Sequence, residues 1–266
     1  MFSREMMNTW EVATIVAIVA GIVGFFVVLR GASFVAHAVP NASFAGAAGA
    51  ALIGLNTIFG LGVVALASAL GIGWLSRRGR PDAVTALILT LMLAIGSLFL
   101  SWSSEYASQI YSLLFGEVLG VASNDVGITA ILGALAVIGI MVFYRPLLLS
   151  SVVPNLAQSK RINIFRVEII FLLIVALVST MAVPVVGTLL MFTLLVGPSA
   201  SARSFADSPR TVIIISVTIA LIIVWLSVIV SYATNWPIGF YVGTLGVVSF
   251  LMGRIWSHAR SGRGIE

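Results

Sequence analysis

His37 and Asn41 are the side chains whose types and spacing best suit chemistry on a cation. Residues four apart share a helix face, with Cβ atoms about 5–6 Å apart, so both can point at one small polar object. A neutral imidazole is a good ligand for zinc, and an amide oxygen is a weak neutral one. Pro40 lies between them. Proline has no N–H and crowds the preceding turn, so in a helix it frees the carbonyl of Ala36. At membrane depth such irregular backbone survives only where it is buried in protein or lines a cavity, and the stretch reads as a break in a helix on a pathway. Two readings of His37 stand together. It is a ligand, or it is a structural histidine bonded to a neighbouring helix, because one His and one Asn do not complete a zinc site of three or four ligands. Further ligands would come from partner copies, water, Met or backbone. Cysteine is absent, which excludes disulfides and thiolate sites.

The elements that must hold these groups are apolar. With 60% hydrophobic and 9% charged residues in 266, the chain carries many runs near the ~20 residues that cross a bilayer core. The fold class read from this is all-α, a polytopic transmembrane helical bundle of about eight or nine spans, in a single transmembrane domain over 1–266. Spans are expected near Trp10 to Leu29, Phe34 to Asn56, Thr57 to Leu75, Ala83 to Ser101, Val126 to Tyr144, Val167 to Met181, Val183 to Ser199, Val212 to Tyr232 and Phe240 to Trp256. The first is apolar on all faces and reads as a retained anchor whose Arg30 snorkels to the interface. Asp82 reads as an N-cap, and Ala182, Val183 and Pro184 as a hairpin turn. Ala42, Gly46, Ala50 and Gly54 form a small-xxx-small ridge for close helix approach.

The formal charge of +5 lies in alternate loops, which argues against a nucleic-acid partner and for the positive-inside rule. Arg30, the Arg77 to Arg80 group, the Arg145 to Arg166 group, Arg203 with Arg210, and the arginines after Arg254 are placed in the cytoplasm. Nine spans then put the amino terminus outside, unless Pro40 makes the second span re-entrant. Trp102 to Asp125 reads as a short interfacial or re-entrant helix. Glu117 and Asp125 there either receive a cation or merely solvate the surface. Glu168 is a carboxylate paired with Arg166 or Arg161, or a lower gate; the pair is favoured because an unpaired charge at depth costs at least ~2.5–3.5 kcal/mol.

The longest polar interruption is Tyr144 to Arg166, with a core at about 150–163. Pro154 suits the first turn of a short helix, Asn155 to Ser159 continue it, and Lys160 and Arg161 complement its end. It is a platform that receives force from a soluble partner, or an ordinary connection. Gly197, Pro198, Ser199 and Ser201 read as a loosened helix end whose serines satisfy freed backbone. The lone lysine, Lys160, follows Ser159 rather than glycine, so there is no phosphate loop, and the chain is read as no enzyme of its own. An ion-coupled carrier would show ionisable groups deep in several spans. An intramembrane hydrolase would need a base for Ser199.

The motifs resemble the zinc and manganese ABC transporter permeases over nearly the whole length. A pattern D-A-x-S-H-A-x-L-P-G-V-A lines up with His37 to Ala48, matching Ala38, Ala42 and Gly46, with His37 at the Asp, Asn41 at the His and Ala45 at the Pro. S-x-D-P-E-x-A-R-A-x-G lines up with Ser151 to Arg161, keeping Pro154 and Ala157, with Val153 for Asp, Asn155 for Glu and Arg161 for Gly. Leu114, Phe115 and Gly116 match L-F-G, and Val185 to Arg203 follow V-V-G-x-L-L…P-A-x-x-A-R. The resemblance implies a membrane subunit of a bacterial uptake system in the cytoplasmic (inner) membrane. It also implies a second copy of the permease, a cognate ATP-binding subunit docked under Pro154, Asn155, Ala157, Lys160 and Arg161, and an extracytoplasmic metal-binding protein. The metal is cargo rather than a permanent cofactor. His37 with Asn41 makes a softer, less charged site than carboxylate plus imidazole, which favours zinc over manganese, with manganese or iron as the alternative.

Overall fold

The structure, a computed structural model, describes residues 4–102, 114–116 and 123–261. Its helices, in chain order, are α1 (Arg4–Leu29), α2 (Ser33–Leu52), α3 (Thr57–Leu75), α4 (Pro81–Ser101), α5 (Ser123–Val152), α6 (Pro154–Ser159), α7 (Ile164–Val186), α8 (Thr188–Ala202), α9 (Pro209–Thr234) and α10 (Ile238–Ser261), with a 3₁₀ turn at Ser76–Arg78. No strand occurs among the described residues. Among the described residues seven helices are long and apolar enough to cross a membrane: α1, α3, α4, α5, α7, α9 and α10. The other two candidates from the sequence fall outside that set. α8 is a shorter apolar helix. α2 has 20 residues but is rich in alanine and glycine.

Why these segments are helices is local. Asn56 accepts hydrogen bonds from the Ile58 and Phe59 amides at 2.8 and 3.4 Å, Asn163 from Arg166 at 3.1 Å, and Ser208 from Thr211 at 3.3 Å. Each satisfies donors orphaned at a helix start. Asp82 is not the cap expected of it. α4 begins at Pro81, so Asp82 lies inside the first turn, where it still meets the positive end of the helix dipole. The expected hairpin at Ala182 to Pro184 is also displaced: α7 runs through Pro184 to Val186, and the chain turns at Gly187 with φ 86°.

α1, read as an anchor, is instead a core helix. It packs against α5, α7, α8 and α9, and Val16, Ala20, Val23 and Phe26 are wholly buried. A helix apolar on every face has no side to turn to water, and here protein covers much of it. α2 goes further, with Ala36 and every residue from Ala38 to Ala48 buried, packed by α3, α4, α7 and α8. The small-residue ridge explains the fit. A Cβ added at Gly60 of α3 would stand 2.6 Å from that of Ala50 and would also strike the backbone at Gly46, so α2 and α3 meet backbone to backbone. Gly54 is not part of that ridge: its φ of 71° ends α2, with Leu55 N–H donating to Ala50 C=O at 2.8 Å. α2 is continuous through Pro40, so the expected break is absent.

The ends of the bundle are fixed by contacts. Arg30 meets Ser150, Ser151 and Glu168, and Arg77 lies 4.1 Å from the Phe165 ring centroid. The ends of α1, α3 and α5 and the start of α7 therefore share one face, the basic one. At the opposite end Leu114–Gly116 is wedged against Val185–Gly187.

Gly60→Val is expected to lower the unfolding temperature by several degrees, reflecting about 1–3 kcal/mol of overpacking. Gly127→Ala, whose Cβ meets nothing within 4 Å, is expected to leave it unchanged or raise it. Thermal unfolding of the two variants side by side checks the α2–α3 approach.

Candidate cation site and its cytoplasmic connection

His37 and Asn41 sit about 6 and 12 Å along α2 from Ser33, in the half of the helix nearer the Arg30 end. Asn41 is buried, with 4% of its surface exposed. Its Nδ2 donates to the His37 carbonyl at 2.7 Å. That bond runs back along the turn that Pro40 loosens and commits the amide nitrogen, so the oxygen is the end of Asn41 left for a cation. Ser43 Oγ donates to the Pro40 carbonyl at 2.6 Å. Both bonds satisfy polar side-chain groups inside a buried span. His37 is half-buried, and its ring stands edge-to-face on Phe192 of α8, centroids 5.6 Å apart. No cluster of three or more His, Cys, Asp or Glu able to hold a metal occurs among the described residues. This is a sparse site from neutral donors, suited to a group that a cation visits and leaves.

The other sequence candidates are not gathered around it. Glu117 lies outside the described residues. Asp125 is in the first turn of α5, 27 residues along a continuous helix from Val152 and so at the bundle end opposite Arg30. Glu168 pairs with Arg30, not with Arg166 or Arg161 as expected. Arg166 stands exposed on the first turn of α7 itself, and Arg161 in the connection before it.

Arg30 is the residue whose surroundings sequence reading misplaced. Rather than snorkelling, its side chain is only 8% exposed. Nη1 donates to Ser150 Oγ at 2.9 Å and Ser151 Oγ at 3.2 Å, Nη2 binds Glu168, and the guanidinium lies 5.0 Å from the Phe171 centroid. Both serines in turn donate to the Leu147 carbonyl. A signal was present: one arginine closes an all-apolar helix, and one carboxylate stands inside a later span on the same side.

Three residues beyond Ser151 begins α6. It starts at Pro154 after Val153, which lies outside the helical region at φ −136° and ψ 76°, as the residue before proline is kept out of the α conformation, and it spans the residues expected. Ala157 is wholly buried, whereas Asn155, Lys160 and Arg161 are exposed. One small residue thus seats α6 on the bundle while the rest stands clear. Its end is closed by two bonds, Arg161 N–H to Gln158 C=O at 2.9 Å and Ile162 N–H to Ala157 C=O at 3.0 Å, the Schellman pattern. This puts Arg161 at φ 58°.

The sequence pattern of the ABC 3 transport family matches residues 3–257. The chain belongs to that family. Among its relatives is the manganese transport system membrane protein MntC of Listeria innocua, 28% identical over 239 residues, which are 89% of this chain and 85% of that protein. Another is the manganese import system permease protein ScaB of Streptococcus parasanguinis, 28% identical over 249 residues, 93% of this chain and 89% of that one. The solved structure of PsaBC from Streptococcus pneumoniae in complex with Fab superposes with a TM-score of 0.85 at 27% identity, over 94% of this chain and 91% of that chain. This is a multi-pass membrane protein of a transport family.

Geometry now explains two motifs of that resemblance. The position of Arg161, glycine in the aligned pattern, is one where an L side chain is strained. The L-F-G at Leu114–Gly116 and the V-V-G at Val185–Gly187 are distant in sequence but pack on one another, and a Cβ at Gly187 would strike Gly116 N at 2.7 Å. The serines of α8 bind other helices, not their own freed backbone. Ser199 Oγ lies 2.7 Å from Ser216 Oγ, and Ser201 Oγ donates to the Ser249 carbonyl at 2.7 Å.

Glu168→Ala is expected to destabilise the protein by about 2 kcal/mol, the scale of a hydrogen bond to a charged group, while Arg166→Ala falls within about 0.5 kcal/mol of wild type. Equal losses by thermal unfolding would restore Arg166 as the partner. Arg161→Gly is expected to gain up to about 1 kcal/mol by relieving the left-handed backbone, readable in the same assay.

Proposed function

We propose that this chain is the membrane permease of a bacterial ABC importer that carries a divalent transition metal, manganese first, across the cytoplasmic membrane. ATP is hydrolysed by a separate subunit. The observation that carries the reading is the joining of two features: family membership over nearly the whole chain and a short exposed helix, α6, rooted through Arg30 into the core. The zinc favoured by donor softness finds no support among the named relatives, which are manganese transporters. An amide oxygen suits manganese, and imidazole accepts it.

In this reading two permeases stand side by side, each with an ATPase under Pro154 to Arg161, and an external binding protein delivers the metal. Motion of the ATPase pushes on α6. The push enters α5 at Ser150 and Ser151 and passes through Arg30 to α1 and through Glu168 to α7. α2 leaves α1 by the turn at Gly31, so a displacement of that turn reaches His37 within two helical turns. His37 and Asn41 hold the ion weakly enough to release it.

The test is ATP-dependent uptake of manganese and of zinc into vesicles holding this chain with its cognate ATPase and binding protein. Manganese uptake is expected in the wild type, reduced about tenfold or more in His37→Ala with membrane insertion intact. Uptake of neither metal, or uptake indifferent to ATP, would overturn the reading; zinc uptake alone would return the cargo to zinc.

A further inference from the structure

Where α5 and α9 lie against α1, near the basic end of the bundle, there is a groove of about 790 Å³. Its walls are apolar, with Ile22, Met141 and Ile214 among them, and its mouth carries Tyr144, Arg145 and Arg210. No acidic side chain lines it. Both arginines are exposed, and among the described residues the ion pair between Arg30 and Glu168 is the one salt bridge, so neither has a carboxylate partner. Met141 and Ile214 are 72% and 65% exposed.

Two unpaired guanidiniums over an apolar trough fit a ligand that is anionic at one end and hydrocarbon at the other. A free phosphate leaves the trough empty. A peptide brings N–H and C=O groups to walls that cannot bond them. By the positive-inside rule this end faces the cytoplasm, which sets the arginines at the headgroup level of the inner leaflet. We propose that the groove is a binding site for one anionic phospholipid, its phosphate held by Arg145 and Arg210 with the Tyr144 hydroxyl beside them, and an acyl chain along Met141 and Ile214. The lipid bridges α9 to α5, the helix that carries α6 at its end, and so steadies the element that receives force. The site does not depend on which cargo the permease carries.

The full chain with its ATPase, purified in detergent and stripped of lipid, is titrated with phosphatidylglycerol, with phosphatidylcholine of the same acyl chains, and with glycerol phosphate, and bound lipid is counted by native mass spectrometry. The wild type is expected to bind phosphatidylglycerol about tenfold or more tightly than phosphatidylcholine and to ignore glycerol phosphate. Arg145→Gln with Arg210→Gln is expected to abolish the preference, and Arg203→Gln to keep it. Met141→Trp, which fills the trough and leaves both charges, is expected to weaken phosphatidylglycerol binding severalfold, with unfolding temperature read in parallel to show that each variant is folded. Equal binding of the two lipids by the wild type would overturn the proposal. So would a preference that survives in the folded double variant, or competition by glycerol phosphate as strong as by phosphatidylglycerol.

Discussion

A buried guanidinium has to be surrounded by partners, and Arg30 gathers four of them from two other helices. Taking a charge out of water costs several kcal/mol unless hydrogen bonds and an opposite charge offset it. Ser150 and Ser151 supply the first, Glu168 the second, and Phe171 an aromatic face. The consequence reaches beyond the pair. α1, α5 and α7 cannot slide independently at this end, and the short helix α6 hangs from the clamped end of α5. α6 is therefore attached to a junction that side-chain contacts tie to three helices.

From that junction the path to His37 is short because α1 and α2 are joined by a tight turn. α2 itself is unusual among the helices in having almost no face left for lipid. Only small residues allow this, since Gly46 and Gly60 let two backbones touch where any larger pair would hold the helices at the ordinary 8–10 Å. The polar atoms of Asn41 and Ser43 are thereby kept from hydrocarbon. α2 stays continuous through Pro40, and Asn41 and Ser43 donate to the carbonyls of His37 and Pro40, so these polar groups are satisfied within the helix.

The opposite end is organised by backbone contact. Leu114–Gly116 crosses the α7–α8 turn so closely that glycine is required on both sides. Leu114 joins the cluster that holds Phe44, Leu61, Leu100 and Val183, so this plug and the outer part of α2 share one small core.

Much of this was legible in the sequence for a plain reason. Apolar runs of bilayer length, Pro154 at a helix start and small residues four apart are local signals: a helix stands at each of the nine runs, seven of them long and apolar enough to cross a membrane among the described residues, while most of the short helix expected between Trp102 and Asp125 lies outside the described residues. The same locality explains the misses. Nothing near Glu168 in sequence reveals that its partner is Arg30, 138 residues away, and nearer arginines drew the assignment. Apolarity on all faces does not say whether lipid or protein covers α1. A proline in a span does not say whether the helix stays continuous through it. Composition and periodicity by themselves determined that this is a helical, multi-pass membrane protein, because apolar runs of bilayer length are a property of local sequence. Tertiary structure alone decided which charges pair, which helices form the core and how α6 is tied to α2, because those depend on contacts between residues that only the folded bundle brings together.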